Sequence, residues 1–135
     1  MKTQKFCLII LYCLFFSSFL LADEWTIAGQ LNEGRDSQFA TALLPDGKSV
    51  LITGGYATDE LIITSHCEIF DFKTNRSSFT DSLPIPFYDH YLIELNNGEY
   101  LKLGGITGVS DNDDRRCFAY SSLTNTWQEV GQMNY

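Results

Sequence analysis

The 135-residue sequence predicts an all-β protein built from two copies of a four-stranded unit, and three observations carry that reading. First, no stretch beyond residue 22 shows a 3.6-residue apolar stripe or a helix-length block of Ala, Glu, Lys and Leu. Second, two strand-like runs end in the same way: "LLPDGKSVLITGGY" (43–56) and "YLKLGGIT" (100–107) both stop at paired glycines. Third, Gly54 and Gly104, Gly55 and Gly105, Cys67 and Cys117, Phe70 and Tyr120, Thr74 and Thr124, and Asn75 and Asn125 are all separated by 50 positions. Glycine pairs inside strand-like sequence bury no side chain, so they mark places where the chain turns sharply or another backbone comes close. A fixed period of this size signals a modular repeat.

The first 22 residues stand apart. Lys2 and Lys5 are followed by an uncharged run of 17 residues, Phe6 to Ala22, rich in Leu, Ile and Phe. That run is shorter than the roughly 20 residues a membrane span needs and ends near Ser17, Ser18 and Ala22, so residues 1–22 read as a secretory signal cleaved after Ala22. The mature chain, residues 23–135, is then secreted or periplasmic. Losing Lys2 and Lys5 takes the formal charge from −8 to −10, which disfavours nucleic acid and anionic membrane surfaces because both would be repelled at long range.

Within the mature chain each element has its own signal. "FATALL" and "SVLIT" flank Pro45-Asp46-Gly47, and "YLIEL" and "EYLKL" flank Asn96-Asn97-Gly98; Asp-Gly and Asn-Gly supply the positive φ of tight hairpins. After 11-residue connections come "CEIFDF" and "CFAYSS", turns at Lys73-Thr74-Asn75 and Leu123-Thr124-Asn125, then "RSSFTD" and "TWQEV". The expected units are 39–82 and 90–130. A partial third copy opens the chain, where "WTIAGQLN" (25–32) parallels "WQEVGQMN" (127–134). The chain thus begins with the end of a unit, and 25–28 is expected as a stray fourth strand.

Gly54-Gly55 with Phe70, and Gly104-Gly105 with Tyr120 and then Trp127, resemble the kelch repeat, as found in galactose oxidase's propeller domain and in secreted bacterial kelch proteins. The match covers essentially all of residues 25–135. Two departures stand out: the first unit has Ser77 where Trp is expected, with Phe79 as its replacement, and Phe87 stands where the first unit has Arg35. The resemblance implies a β-propeller of four-stranded blades, each packed on both faces, with Phe70, Phe79, Tyr120 and Trp127 as packing residues. At about 50 residues a blade the mature chain holds roughly two and a quarter, against the four to eight that close a ring. It is therefore expected to be the start of a longer propeller, with ring formation by several copies as the other route to closure.

Catalytic chemistry finds little support. His66 and His90 are the two histidines, and no His/Cys/Asp spacing suggests zinc or copper. A copper site like that of galactose oxidase would need histidines and tyrosines this chain does not supply, and no cofactor is expected. Cys67 and Cys117, at equivalent places on adjacent blades, would lie about 10 Å or more apart, beyond the roughly 7 Å that a disulfide allows, so free buried thiols are expected. "SDNDDRR" (110–116) lacks the spacing of a calcium loop and reads as solvated. Asn75-Arg76-Ser77 has the form of a glycosylation sequon. The function expected by analogy with the fold is an exported binding or protein-interaction module for a protein or carbohydrate ligand. The alternative is the N-terminal part of an exported kelch-fold enzyme, similar to sialic acid isomerases or galactose oxidase. The candidate binding residues lie on the second-to-third and fourth-to-first strand connections: Asp59, Glu60, Asp111, Asp113, Arg115 and Arg116.

Overall fold

Hairpin chemistry sets the strand order of the computed structural model, which describes residues 25–58, 62–108 and 114–134. In the first unit β1 (Ala40–Leu43) pairs with β2 (Ser49–Thr53), β2 with β5 (Cys67–Asp71) and β5 with β6 (Arg76–Thr80). The second unit repeats this with β7 (Tyr91–Glu94), β8 (Glu99–Leu103), β9 (Arg116–Ser121) and β10 (Thr126–Gln132). Both sheets are antiparallel and four-stranded. Between β2 and β5 a small hairpin of β3 (Tyr56–Ala57) and β4 (Ile62–Ile63) replaces a plain loop. The proposed leader, residues 1–22, lies outside the described residues.

Gly47 (φ 62°) and Gly98 (φ 80°) close the β1–β2 and β7–β8 hairpins in the left-handed region. Side chains do the rest of the turning: the Asp46 carboxylate accepts the Lys48 and Ser49 amides, and Asn97 accepts that of Glu99. The β5–β6 and β9–β10 turns match too, with Asn75 and Asn125 at φ 56° and 55°. Asn tolerates that conformation better than most side chains do, which accounts for its recurrence.

The two sheets stack through one apolar seam. Ala42, Leu51, Cys67 and Ile69 of the first sheet meet Leu92, Tyr100, Phe118, Tyr120 and Trp127 of the second, with Leu83 and Phe87 from the connection filling the gap. Polar tips reach across: the Tyr100 hydroxyl donates to the Leu43 carbonyl, the Tyr120 hydroxyl meets Thr80 Oγ1 at 2.8 Å, and Trp127 Nε1–H donates to the Asp81 carbonyl at 3.1 Å. Tyr120 and Trp127 pack with ring centroids 5.0 Å apart. The thiols Cys67 and Cys117 are free and buried, and both lie near a carbonyl two residues earlier in sequence.

Two local expectations change. Phe79 does not replace the missing Trp: Ser77 sits opposite Phe70 in register, as Trp127 sits opposite Tyr120, and Phe79 instead stands edge-on to His66 at 5.6 Å. The reason lies in what covers Phe70, since the backbone at Gly29 lies so close to that ring that an added Cβ would stand 2.9 Å from it. Residues 25–28, expected as a strand, pair with none, and Trp25 and Ile27 are exposed.

The glycine pairs answer to sterics. Gly54 and Gly55 (φ 56° and 88°) and Gly104 and Gly105 (φ 63° and 95°) all lie where side chains are strained. At Gly54 a Cβ would also stand 2.4 Å from the Phe87 carbonyl oxygen, whereas at Gly104 it would meet nothing within 4 Å. Gly104→Ala is therefore expected to cost only the φ strain, about 1–2 kcal/mol. Gly54→Ala adds a backbone collision and should cost at least about 2 kcal/mol more. Urea unfolding of the two variants measures the difference, and equal losses would remove the crowding argument.

Candidate binding face

The connections expected to carry binding do come together at one end of the sheets. Arg35 bridges to Ala57 and Tyr88 to Ile106, so in each unit the fourth-to-first connection pairs with the second-to-third one. Asp36 N donates to the Tyr56 carbonyl (3.0 Å), Tyr56 N to that of Ser37 (3.1 Å), and Tyr88 and Ile106 exchange both of their bonds. Tyr56 and Tyr88, one from each unit, pack with ring centroids 5.0 Å apart. The face is continuous across both units.

Of the six residues singled out on it, Asp59, Glu60, Asp111 and Asp113 lie outside the described residues. Arg115 is exposed on this face. Arg116 turns back onto Asp114, its Nε and Nη2 contacting both carboxylate oxygens at 2.6–3.1 Å. Those bonds hold the Asp114 carboxyl below its usual range. With Gln132, these three residues line a recess of about 210 Å³. A larger cleft of about 330 Å³ runs between the starts of β1 and β7, lined by residues 38–41 and 89–92. Gln38 and Asp89 flank it at equivalent places, both with left-handed φ. His90 sits behind it, its Nε2 2.8 Å from Thr53 Oγ1.

Sequence reading missed a buried charge network in the first unit. Arg35 is fully enclosed and reaches the Gly54 carbonyl (2.7 Å), Glu33 (3.3 Å) and Glu68 (3.3 Å). Glu68, also enclosed, accepts from the Asn32 and Glu33 amides, the Asn32 side chain and the Ser77 hydroxyl. Burial pushes the Glu68 carboxyl up, but these donors outweigh it and hold the group below its usual range. At the outer end His66 Nδ1 lies 3.1 Å from Glu33 Oε1. The repeat register offers part of the missing signal: Glu68 corresponds to Phe118, so a buried carboxylate stands where the second unit has a ring packed 5.9 Å from Phe87.

Lys102 is the second missed residue. It corresponds to Ile52 and shares the seam face of β8 with Tyr100, which the alternation in "EYLKL" already marks. Its ammonium lies over the Phe87 ring, 3.0 Å from the centroid, without a hydrogen-bond partner among the described residues. Burial pulls its pKa down to about 7. Burial, then the Lys102 charge, pulls His90 down to about 4.

No protein-family model matches the chain, and no curated protein does. Solved structures do. A fungal alcohol oxidase of the AA5 family, in complex with copper, superposes with a TM-score of 0.60 over 76% of this chain and 24% of that one, at 10% identity. The structure of YjhT gives 0.61 over 75% of this chain and 38% of that one, at 14% identity. The fold is that of propeller blades. The chain spans well under half the length of either structure. Among the described residues no group of three or more His, Cys, Asp or Glu could hold a metal ion.

The buried lysine sets a pH dependence for the blade pair. Between about pH 7 and 10.5 the unfolded chain binds a proton that folded Lys102 does not, so stability rises with pH across that window and the full penalty stands below it. Replacing Lys102 with Ile, its counterpart in the first unit, should stabilise the protein by about 1–3 kcal/mol at pH 7. Urea midpoints at pH 7 and pH 10 check this: the gain should shrink at the higher pH, and a gain that stays constant would show that packing, not charge, is responsible.

Proposed function

We propose that the chain is an exported kelch-repeat binding module whose partner, a protein or a carbohydrate, docks on the face built from the paired connections. The observation that carries this reading is the continuity of that face. Rigid sheets hold the paired connections, and Tyr56 against Tyr88 joins one unit to the next. Arg115 and Arg116 place charge and hydrogen-bonding groups there, and in sequence Asp59, Glu60, Asp111 and Asp113 belong to the same connections. Export rests on the leader-like residues 1–22, with Asp23 as the first mature residue.

A second reading keeps the chain as part of an exported kelch-fold enzyme, supported by its likeness to an alcohol oxidase. Catalysis at copper would then draw its ligands from outside the described residues.

Expression of the full sequence with its own leader tests both export and binding. Mass spectrometry of the exported protein is expected to show a chain beginning at or within a few residues of Asp23; an intact Met1 in a membrane fraction contradicts that. The purified protein is then screened on glycan and peptide arrays. Binding should fall at least about tenfold in Arg115→Glu with the urea midpoint unchanged. Binding that is indifferent to Arg115, Arg116 and the acidic residues of this face would overturn the assignment of the face.

A further inference from the structure

One cluster on the binding face is not explained by the repeat. His66 Nδ1 lies 3.1 Å from Glu33 Oε1, and a carboxylate can only accept, so Nδ1 carries the proton. In the neutral ring Nε2 is then left as an acceptor. The side chain is 54% exposed, and Nε2 makes no hydrogen bond among the described residues. Glu33 is itself held: Oε1 accepts from Thr64 Oγ1 at 3.3 Å, and Oε2 faces Arg35 Nη2 at 3.3 Å. Arg35 is pinned in turn by Glu68 and the Gly54 carbonyl. A relay of fixed charges thus runs from the sheet interior to one exposed imidazole.

The fold does not need this arrangement. In the second unit Phe118 and Arg116 stand at the places of Glu68 and His66, and that sheet forms with equivalent strands and thiol. Buried charge is costlier than a ring, and besides locking residues 29–35 over the first sheet this network fixes the imidazole at its exposed end. A histidine oriented by a carboxylate offers a fixed acceptor lone pair. Beside it the Phe79 ring, 5.6 Å away and 56% exposed, adds an apolar surface.

We propose that His66 is a ligand-contacting residue of the binding face, its Nε2 accepting a hydrogen bond from a hydroxyl group of a neutral saccharide, with Glu33 as the residue that positions it. The inference rests on the reading of this end of the molecule as the binding face. A saccharide suits the pair because its hydroxyl groups donate to the imidazole while its C–H faces lie on an aromatic ring. The acidic chain disfavours anionic ligands.

The test is an NMR titration of the full chain with galactose, glucose and N-acetylglucosamine, followed through backbone amides and the two imidazoles. At least one sugar should shift the His66 ring saturably, with a dissociation constant on the order of millimolar, while buried His90 stays still. Glu33→Gln should weaken that binding by about tenfold. Because that change could also loosen the network, His66→Asn and Phe79→Ala, both at exposed positions, are measured alongside and should weaken it with unchanged urea midpoints. Saturable shifts at residues 56–58 and 106–108 that spare His66 would overturn this proposal and leave the binding face standing. Absence of any shift with all three sugars would overturn it as well, with the peptide array left to decide the face. A His66 response to ethylammonium but to no sugar would overturn the ligand class.

Discussion

Everything in this structure hangs on the seam between its two sheets. Each sheet alone is a four-stranded antiparallel ribbon with two faces to cover, and the described residues provide one sheet-to-sheet contact. The seam has to do two jobs at once. Leu51, Cys67, Phe118 and the rings of Tyr100 and Tyr120 exclude water, and hydroxyl and indole groups fix the relative position of the sheets through Leu43, Thr80 and Asp81. Apolar contact is non-directional, so the three polar tips are what turn a greasy contact into a single registration. The Cys67 thiol in this seam, pushed up to about 11 by burial, behaves as a small apolar filler and not as a nucleophile.

The two units solve the same problem with different chemistry. Where the second unit lays Phe87 against Phe118, the first sets Arg35 against Glu68 and surrounds that carboxylate with donors. A pair of rings is tolerant of small shifts. A carboxylate that accepts from Asn32, Glu33, Arg35 and Ser77 is not, because every donor must stay within reach or leave a buried charge unmatched. The segment 29–35 is consequently locked over the first sheet, and its Gly29 takes the space above Phe70 that a tryptophan at position 77 would fill. Lys102 is the converse case, a charge placed where the other unit keeps Ile52 and given only a ring face as a neighbour. It weakens the seam it sits in.

How much of this was legible depended on whether the signal was local. Turns and strands were, because Asp46-Gly47, Asn97-Gly98, Asn75 and Asn125 encode their conformations within a few residues. The 50-residue register made the two sheets, and the equivalence of Cys67 and Cys117, readable without structure. The grouping of the connections onto one face followed from the resemblance to kelch propellers, not from the period itself. Partnerships over 30 residues or more were not legible: Glu33 with His66, and Arg35 with Glu68, are separated by 33 positions each. The departures at Arg35 and Phe87, and the exchange of Glu68 for Phe118, stand in the sequence, yet only the geometry shows that Arg35 and Glu68 meet. Phe79 was misplaced because spacing alone cannot say that a backbone already covers Phe70.

The unequal glycines carry this reasoning to the faces that no sheet covers. Gly54 is closed in by the Phe87 carbonyl and the His90 ring, both contributed by the following unit, while the space around Gly104 is open. The same contrast holds for the sheet face beyond, where Tyr91 is 71% exposed and Ile93 47% although their counterparts Ala40 and Ala42 lie against the seam. A second copy of this chain would cover that face poorly. Its first sheet presents Val50, Phe70 and Ser77 where the seam uses Tyr100, Tyr120 and Trp127, so none of the three polar tips would be available. On the receiving side Val130 stands where Thr80 meets the Tyr120 hydroxyl, Gly131 lacks the carboxylate with which Asp81 accepts the Trp127 amide, and the register of β10 shifts between Glu129 and Gly131. Apolar contact could still form there, but without those bonds it would lack the registration that makes the existing seam specific.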